Sequence, residues 1–374
     1  MHIILFFTYG ISLKDWDESG ILNREIELYK SLIKNKDTKF TFVTYGDKED
    51  HNYSYILDDL NIIPIYSLVN KSKYNILNFF KSLFISKKLS KIISNPTYLK
   101  TNQLNGCWVA MLTKFYSKTP LYIRTGYNLF EFSIKDKKGL IKKLFYYFLT
   151  QLGLFYSDAY SVTSNSDKLF LEKYFITKKI IVIPNWVIDV KRNEFNNRSE
   201  NKLLGVGRLE SQKNFKSIIK ALSNTEIELD LVGEGSKKEA LKKISNSSST
   251  NVNFLGRLDY KELNQLYLNY KIFVLPSLFE GNPKVVLEAM SKGVLVIARK
   301  NKNIAEIINH NQNGVLYEND NEVLPKISFY LNNEEEWKRI TSNAYKSIEM
   351  NNTIDATINK EMSLSFLSGF KDNE

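Results

Sequence analysis

Short runs of apolar residues alternate with longer polar segments along the first half of the chain. Segments such as NREIELYKSLIKN repeat apolar residues at the spacing of a helix. Strands that are separated by helices are typical of a parallel sheet with helices on its faces. The first half is therefore predicted to be an α/β domain, with strands at HIILFFTY, KFTFVTYG, PLYIRTG and AYSVTSN.

A second series of the same kind begins near residue 203. Its strands are predicted at LLGVGRL, ELDLVGEG, NVNFLG, KIFVLPS, GVLVIA and GVLYE, and its helices at NFKSIIKAL, KKEALKKIS, ELNQLYLNY and PKVVLEAMSKG. The pattern thus predicts two doubly wound parallel sheets. We expect an N-terminal domain over 1–189, a polar linker over 190–202 and a C-terminal domain over 203–352. A last helix, about 353–370, is expected to pack back onto the first domain.

The charge of the chain favours anionic partners. Its 374 residues include 52 Lys and Arg against 41 Asp and Glu, a net charge of +11. Such a surface suits nucleotide phosphates, nucleic acid or anionic lipid headgroups. A single cysteine, Cys107, excludes an internal disulfide, and His2, His51 and His310 lack metal-ligand spacing. Because of this histidine spacing we expect no bound metal. We expect a cytoplasmic location, because no signal peptide or membrane-spanning run is recognisable.

Loops that follow strands of the second half carry candidate ligands for a phosphorylated molecule. Ligands of open parallel sheets bind beyond the carboxyl ends of the strands. In VGRLESQKN, Arg208 and Lys213 can clamp a diphosphate, although both are also ordinary surface residue types. In LVGEGSKKE, Gly233 suits either a close ligand approach or a plain turn. In FLGRLDY, Arg257 and Leu258 can border a nucleobase.

The stretch LFEGNPKVVLEAMSKG places two glutamates, Glu280 and Glu288, eight positions apart around the start of a helix. Asn282, Pro283 and Lys284 open this helix, whose free N–H groups and dipole favour an anion. Glu288 can accept hydrogen bonds from a ribose and Glu280 from sugar hydroxyls. Alternatively, Glu288 is a solvated acid on an amphipathic helix.

The order of these motifs resembles the retaining glycosyltransferases of family 4. The similarity spans about residues 155–320 and includes SVTSNSDKLFLEKYF, VIPNWVID and IAEIINHNQNGVLYE. The resemblance implies the α/β GT-B fold, in which two Rossmann-like doubly wound parallel-sheet domains face each other across a cleft. It also implies catalytic roles for Glu280, Arg208 and Lys213. The implied donor-binding residues are Gly20, Arg208, Lys213, Gly233, Arg257, Leu258, Glu280, Gly281, Asn282, Pro283, Lys284, Val285 and Glu288.

The resemblance further implies the reaction. Such an enzyme moves a sugar from a nucleotide-diphosphate sugar, most commonly a UDP-sugar, to a glycan or lipid-linked glycan in bacterial surface polysaccharide assembly. The family usually needs no metal or other cofactor, because cationic side chains and a helix mouth neutralise the leaving diphosphate. The departing phosphate itself takes the acceptor's proton, so no side-chain nucleophile is required.

Three segments depart from the family pattern. The loop after the first strand, DWDESGIL, has one glycine, Gly20, where the family is glycine-rich. A first-domain segment, IRTGYNLF, offers Arg124, Thr125 and Tyr127 near the sugar or acceptor, where many members place a histidine. VIPNWVID has Trp186 where a glycine is common. The identity of the sugar is therefore open.

Four other classes of protein are alternatives. Asp15-Trp16-Asp17 is a D-x-D pattern, which holds a divalent cation in the GT-A fold, although two doubly wound halves argue against that fold. A nucleotide-sugar epimerase shares the GT-B architecture. An oxidoreductase is disfavoured because no G-x-G-x-x-G follows the first strand. A basic non-catalytic protein can bind nucleic acid, but we expect no nucleic-acid partner, since no known motif is present.

Two stretches in the first half, 73–93 and 135–156, are basic and aromatic, and they bear on where the acceptor is located. Either can lie on an anionic membrane with its apolar side immersed. Either can equally be a core-facing helix with lysines in water. Together they support peripheral contact with the inner face of the plasma membrane, where lipid-linked sugars are extended.

Overall fold

The computed structural model describes residues 1–188 and 198–364. The chain divides into two compact units. The first comprises Met1–Pro184 together with the segment that starts at Ile358, and the second comprises Asn185–Thr357. Each unit has its own parallel sheet, as the alternation of strands and helices predicted.

The first unit contains a sheet of seven strands within the described residues. Its strands are β1 (His2–Phe6), β2 (Lys39–Thr44), β3 (Asn61–Pro64), β4 (Tyr98–Thr101), β5 (Leu121–Thr125), β6 (Ala159–Val162) and β7 (Ile180–Val182). The order across the sheet is β3-β2-β1-β4-β5-β6-β7, and every neighbouring pair is parallel. The direction of strand order reverses between β1 and β4.

Helices cover both faces of this sheet, as parallel strands require. They are α1 (Leu13–Glu18), α2 (Leu22–Lys36), α3 (Ile65–Leu68), α4 (Asn75–Ile92), α5 (Cys107–Ser117), α6 (Leu129–Lys135), α7 (Leu140–Tyr156) and α8 (Asn165–Tyr174). The apolar side chains of the strands are buried against these helices; Ile4, Leu99 and Ile123 are all fully enclosed.

The second unit contains a sheet of six strands within the described residues. They are β8 (Ser199–Val206), β9 (Glu228–Val232), β10 (Val252–Gly256), β11 (Tyr270–Leu275), β12 (Leu295–Arg299) and β13 (Val315–Tyr317). Their order is β10-β9-β8-β11-β12-β13, again with parallel neighbours. The order reverses between β8 and β11, and such switch points are where doubly wound sheets bind ligands.

The helices of this unit follow the predicted alternation. They are α9 (Phe215–Ala221), α10 (Lys238–Ser247), α11 (Tyr260–Tyr267), α12 (Lys284–Ser291), α13 (Ile304–Ile307), α14 (Val323–Asn332) and α15 (Glu334–Asn351). The last helix, α16 (Ile354–Met362), belongs to the first unit from Ile358 onward. Two apolar clusters, one on each face of the sheet, form the core.

Strands β3, β4 and β7 were not predicted, and the structure also differs from the sequence-based boundaries in two places. The segment DWDESGIL was predicted to be a loop, but α1 occupies its first half. The hydroxyl of Ser12 accepts from the N–H of Asp15 at 3.0 Å and the Asp15 carboxylate accepts from the N–H of Ser12 at 2.7 Å, a capping box that starts the helix. Strand β8 begins at Ser199, inside the predicted linker, because it pairs with both β9 and β11.

Two predicted segments fall partly outside the described residues. They are the linker, at 190–197, and the last helix, at 365–370. Among the described helices, none has both the length and the apolar character needed to cross a bilayer.

Candidate functional site

Two loops at the switch point of the second sheet are joined by hydrogen bonds. One loop follows β8 and the other follows β11. The Leu278 N–H donates to the Gln212 carbonyl at 2.9 Å, and the Gln212 side-chain amide donates to the Phe279 carbonyl at 2.8 Å. The side chain of Asn214 donates to the Pro276 carbonyl at 3.4 Å. Residues that are distant in sequence are thus held together at the carboxyl ends of two central strands.

Two of the predicted catalytic residues meet in this pair of loops. The Lys213 ammonium contacts the Glu280 carboxylate at 2.5 Å, and the two side chains are only 12% and 7% exposed. Gly207 makes room for the lysine, because a Cβ at that position would lie 3.0 Å from Lys213 Cε. A cation and an anion are therefore fixed beside each other where a ligand of this sheet would bind.

The Arg208 guanidinium is charged. Among the residues that the structure describes, none forms a hydrogen bond or an ion pair with this side chain. It is exposed and directly follows the turn at Gly207. Nearby Glu210 is engaged elsewhere, since the Ser236 N–H and hydroxyl each donate to its carboxylate at 2.8 Å. These hydrogen bonds hold the pKa of Glu210 below its ordinary value. The Arg208 guanidinium is consequently available to an anionic ligand.

Gly233 has a geometric reason to be glycine. Its φ is +136°, and a Cβ would lie 2.0 Å from the Gly207 carbonyl oxygen. Its N–H donates to the Gly256 carbonyl at 2.7 Å. The turn after β9 is therefore packed directly against the turn after β8, which explains this glycine by loop geometry.

Helix α12 begins beside the Lys213–Glu280 pair in sequence and carries the second glutamate. Pro283 is its N-cap, and no side chain caps the first N–H groups. Glu288 is only 2% exposed. The Tyr267 hydroxyl lies 3.4 Å from Glu288 Oε2. Glu288 is thus a buried acid, and the alternative of a solvated surface acid is wrong.

Two asparagines that the sequence analysis did not identify, Asn185 and Asn352, fix Asn282 in the loop before α12. The Asn185 N–H donates to Asn282 Oδ1 at 3.1 Å, and its side-chain amide donates to the Asn282 carbonyl at 2.5 Å. The Asn352 amide donates to the Asn185 carbonyl at 2.7 Å. Next to them, the Lys284 ammonium lies 3.9 Å from the centre of the buried Trp186 ring. Gly281 and Asn282 are buried, whereas Pro283, Lys284 and Val285 are partly exposed.

The residues predicted for the nucleobase lie at the carboxyl end of β10. Arg257 is exposed, and Leu258 packs against the apolar cluster that also contains Val286 and Leu287. Because β9 separates β10 from β8 in the sheet, these two residues lie two strands away from Arg208.

In the first unit, the predicted sugar-side residues have protein partners. Arg124 is 8% exposed, lies 3.8 Å from the Glu361 carboxylate, and donates to the Ile183 and Pro184 carbonyls at 3.4 Å. The Thr125 hydroxyl donates to the Ser161 carbonyl at 3.4 Å. The Tyr127 ring lies 4.8 Å from that of Phe132.

The remaining predicted donor-binding residue, Gly20, lies in the turn after α1, where its φ is +72°. The aspartates of the D-x-D pattern also have partners in this region. Asp15 belongs to the capping box of α1, and Asp17 accepts from the Tyr53 hydroxyl at 3.0 Å. Within residues 1–188 and 198–364, no cluster of three or more His, Cys, Asp or Glu side chains is placed to hold a metal ion.

Comparison with solved structures identifies the fold. The chain superimposes on a sucrose-phosphate synthase from Thermosynechococcus elongatus with a TM-score of 0.78 at 15% identity, over 96% of this chain and 97% of the other. Anabaena HepE in complex with UDP-glucose gives a TM-score of 0.75 at 16% identity, over 97% and 99% of the two chains. The predicted GT-B fold is confirmed.

The sequence comparisons relate the chain to glycosyltransferases. Residues 188–347 match the family model of glycosyl transferases group 1. Over 72% of its length, the chain is 26% identical to 75% of a Campylobacter jejuni alpha-1,4-N-acetyl-D-galactosaminyltransferase named for a PP-undecaprenol-linked GalNAc saccharide. It is 25% identical to an amylovoran biosynthesis glycosyltransferase of Erwinia amylovora, over 80% of this chain and 81% of the relative. The chain is a glycosyltransferase, and its similarity to the glycosyl transferases group 1 covers residues 188–347.

Proposed function

We propose that the chain transfers a sugar from a nucleotide-diphosphate sugar, a UDP-sugar, to a glycan or lipid-linked glycan, with retention of anomeric configuration. The observation that carries the proposal is the Lys213–Glu280 pair at the switch point of the second sheet, with Arg208 on the same β8 loop. The two cations can bind an anionic diphosphate, and the buried acid can accept hydrogen bonds from the hydroxyls of a sugar.

The charges of the site suggest a role for each group. Arg208 and Lys213 neutralise the diphosphate as it leaves, and the uncapped N–H groups of α12 add the positive end of a helix dipole. Glu280 accepts from hydroxyls of the transferred sugar, and Glu288 from the ribose. Arg257 and Leu258 border the base. In this proposal the departing phosphate takes the acceptor's proton, and no metal or other cofactor takes part.

The relatives support the proposed substrates. The Campylobacter relative is named for a PP-undecaprenol-linked saccharide, and the Erwinia relative for amylovoran biosynthesis. HepE was crystallised with UDP-glucose. We accordingly propose that this chain acts in bacterial surface polysaccharide or glycan assembly, at the cytoplasmic side and without a nucleic-acid partner.

A thermal-shift panel of UDP, GDP and ADP, followed by their sugars, identifies the donor. With the donor known, Arg208→Ala is expected to lower turnover about 100-fold or more, because one preorganised charge that stabilises the leaving group is removed. Lys237→Ala, an exposed cation in the same unit, is the matched control and should retain normal turnover. Near-normal turnover of Arg208→Ala would refute the assigned role.

Three further measurements separate the alternatives. Turnover in excess EDTA should persist, whereas complete loss that manganese restores would indicate a metal site. Incubation without an acceptor should give no new sugar nucleotide, since such a product would indicate an epimerase. NMR of the product anomer tests retention of configuration.

A further inference from the structure

Helix α7 exposes a complete apolar face. Its opposite side is buried in the first unit through residues such as Leu149 and Leu154. On the outer side Ile141 is 85% exposed and Phe148 is 60% exposed. Six exposed apolar residues at helical spacing form one stripe, namely Ile141, Leu144, Phe145, Phe148, Leu152 and Phe155. A helix that is apolar on both sides is normally buried on both sides. The outer face of α7 is instead exposed within the described structure, so we expect it to bind another surface.

Helix α4 extends this face. The ring of Phe145 on α7 lies 6.0 Å from that of Phe79 on α4, so the two helices are in contact. The adjacent outer residues of α4 are also exposed, with Phe84 at 81%. We define the basic aromatic face as the six-residue stripe of α7 together with four exposed apolar residues of α4, namely Ile76, Leu77, Phe80 and Phe84. A contiguous exposed apolar patch on two neighbouring helices marks an interaction surface.

The segments that form this face are mostly positive. Residues 61–130 contain nine lysines and one arginine and no aspartate or glutamate, and α7 adds two lysines and no acid. Lys100 is buried, and the other eight lysines of 61–130 lie at the surface. Of those eight, only Lys114 is paired with a carboxylate among the described residues. The net positive charge of the chain is therefore concentrated next to its exposed apolar residues.

We propose that the basic aromatic face docks on an anionic lipid bilayer, with α4 and α7 lying in the plane of the interface. Headgroups provide negative charge for the lysines, and the acyl region takes up the aromatic and aliphatic side chains. A second copy of the chain is disfavoured as the occupant, because it would bring the same positive surface against itself. This inference stands on the first unit alone, so its test does not depend on the proposed transfer reaction.

Co-sedimentation of the full chain with vesicles tests the proposal. We expect binding at low salt to phosphatidylcholine vesicles that contain phosphatidylglycerol, and little binding to phosphatidylcholine alone. Adding salt should weaken the binding, since surface charges are screened. The double variant Ile141→Ser with Phe148→Ser should bind at least about 10-fold more weakly, because it removes two exposed apolar side chains that the bilayer would bury. Phe329→Ser, which changes a 51% exposed residue of the second unit, should bind like the unchanged chain.

A charge-reversal pair separates the electrostatic contribution. Lys87→Glu with Lys88→Glu should reduce binding to the anionic vesicles about 10-fold or more, since each lysine near such a surface contributes to affinity. Lys242→Glu with Lys243→Glu, two exposed neighbours on α10, is the matched control. Circular dichroism and thermal unfolding confirm that each variant is folded.

Two outcomes would overturn the proposal. One is a lack of binding to anionic vesicles at low salt. The other is equal binding by the Ile141→Ser/Phe148→Ser variant and by its Phe329→Ser control. Light scattering addresses the competing occupant: a dimer that becomes a monomer in Ile141→Ser/Phe148→Ser would show that a second copy covers this face. Because vesicle binding is measured without a donor, failure of the transferase proposal would leave this result unchanged.

Discussion

The contact between Lys213 and Glu280 leads to a prediction about how the free site receives a diphosphate. In the free chain, Glu280 already neutralises the Lys213 ammonium at 2.5 Å, with both side chains nearly buried. A diphosphate must therefore compete with a carboxylate for this cation. Replacing Glu280 by Gln keeps the shape of the side chain and removes the competing charge.

The size of the effect follows from the contact. At this 2.5 Å contact, two unit charges attract each other by about 7 kcal/mol at an effective dielectric of about 20. When Glu280 is replaced by Gln, the diphosphate gains only part of this attraction energy from Lys213, because Arg208 and α12 also attract it. We expect a gain of about 1.4 kcal/mol, or about 10-fold tighter binding of the free nucleoside diphosphate. Turnover should fall about 100-fold or more, because Gln cannot hold the sugar hydroxyls as a carboxylate does.

Isothermal titration calorimetry with the nucleoside diphosphate that stabilises the chain measures the first effect, and initial rates measure the second. Opposite changes in product affinity and in turnover are the signature of competition. A double-mutant cycle provides the control, because in a Lys213→Met background Glu280→Gln should no longer improve diphosphate binding. Weaker diphosphate binding by Glu280→Gln, or the same gain without Lys213, would refute the reasoning.

Two further predictions concern the first unit. Glu361→Gln should lower the free energy of unfolding by about 3 kcal/mol in urea titrations, because it leaves the fully buried Lys100 ammonium without its anion. Glu349→Gln, which changes an exposed acid of α15, is its control, and equal stability of the two variants would contradict the prediction. Burial raises the pKa of the Cys107 thiol, so the native chain should resist a thiol reagent and react once per chain after unfolding. Rapid labelling of the native chain would show that Cys107 is accessible.

The amount of apolar sequence in a strand decided whether β1, β11 and β4 could be predicted. Long apolar runs such as β1 and β11 were predicted because both faces of a central parallel strand are covered. Strand β4 was missed, since its sequence YLKT contains a lysine. Lys100 is nevertheless fully buried, and its anion comes from Glu361, 261 residues later. No local pattern can reveal a strand whose charge is compensated from so far along the chain.

The candidate site shows the same division. Arg208, Lys213 and Glu280 lie in loops that follow strands, and strand ends are recognisable from apolar runs and glycines. The contact between Lys213 and Glu280 joins two loops 67 residues apart and follows from the strand order, in which β8 and β11 are neighbours. The hydrogen bonds between Asn185 and Asn282 span 97 residues. Such partners become apparent only when the fold is known.

The basic stretches 73–93 and 135–156 show why periodicity leaves the surface of a helix undecided. We considered a core-facing helix and a membrane-facing helix as alternatives. In α7, Leu149 and Leu154 face the core while Ile141 and Phe148 face outward, so the core-facing description is correct for one side only. An apolar pattern predicts which face of a helix is buried, but it does not show whether protein or membrane buries that face. The partner of the face has to be inferred from charge, and here the absence of acidic residues from 61 to 130 favours an anionic one.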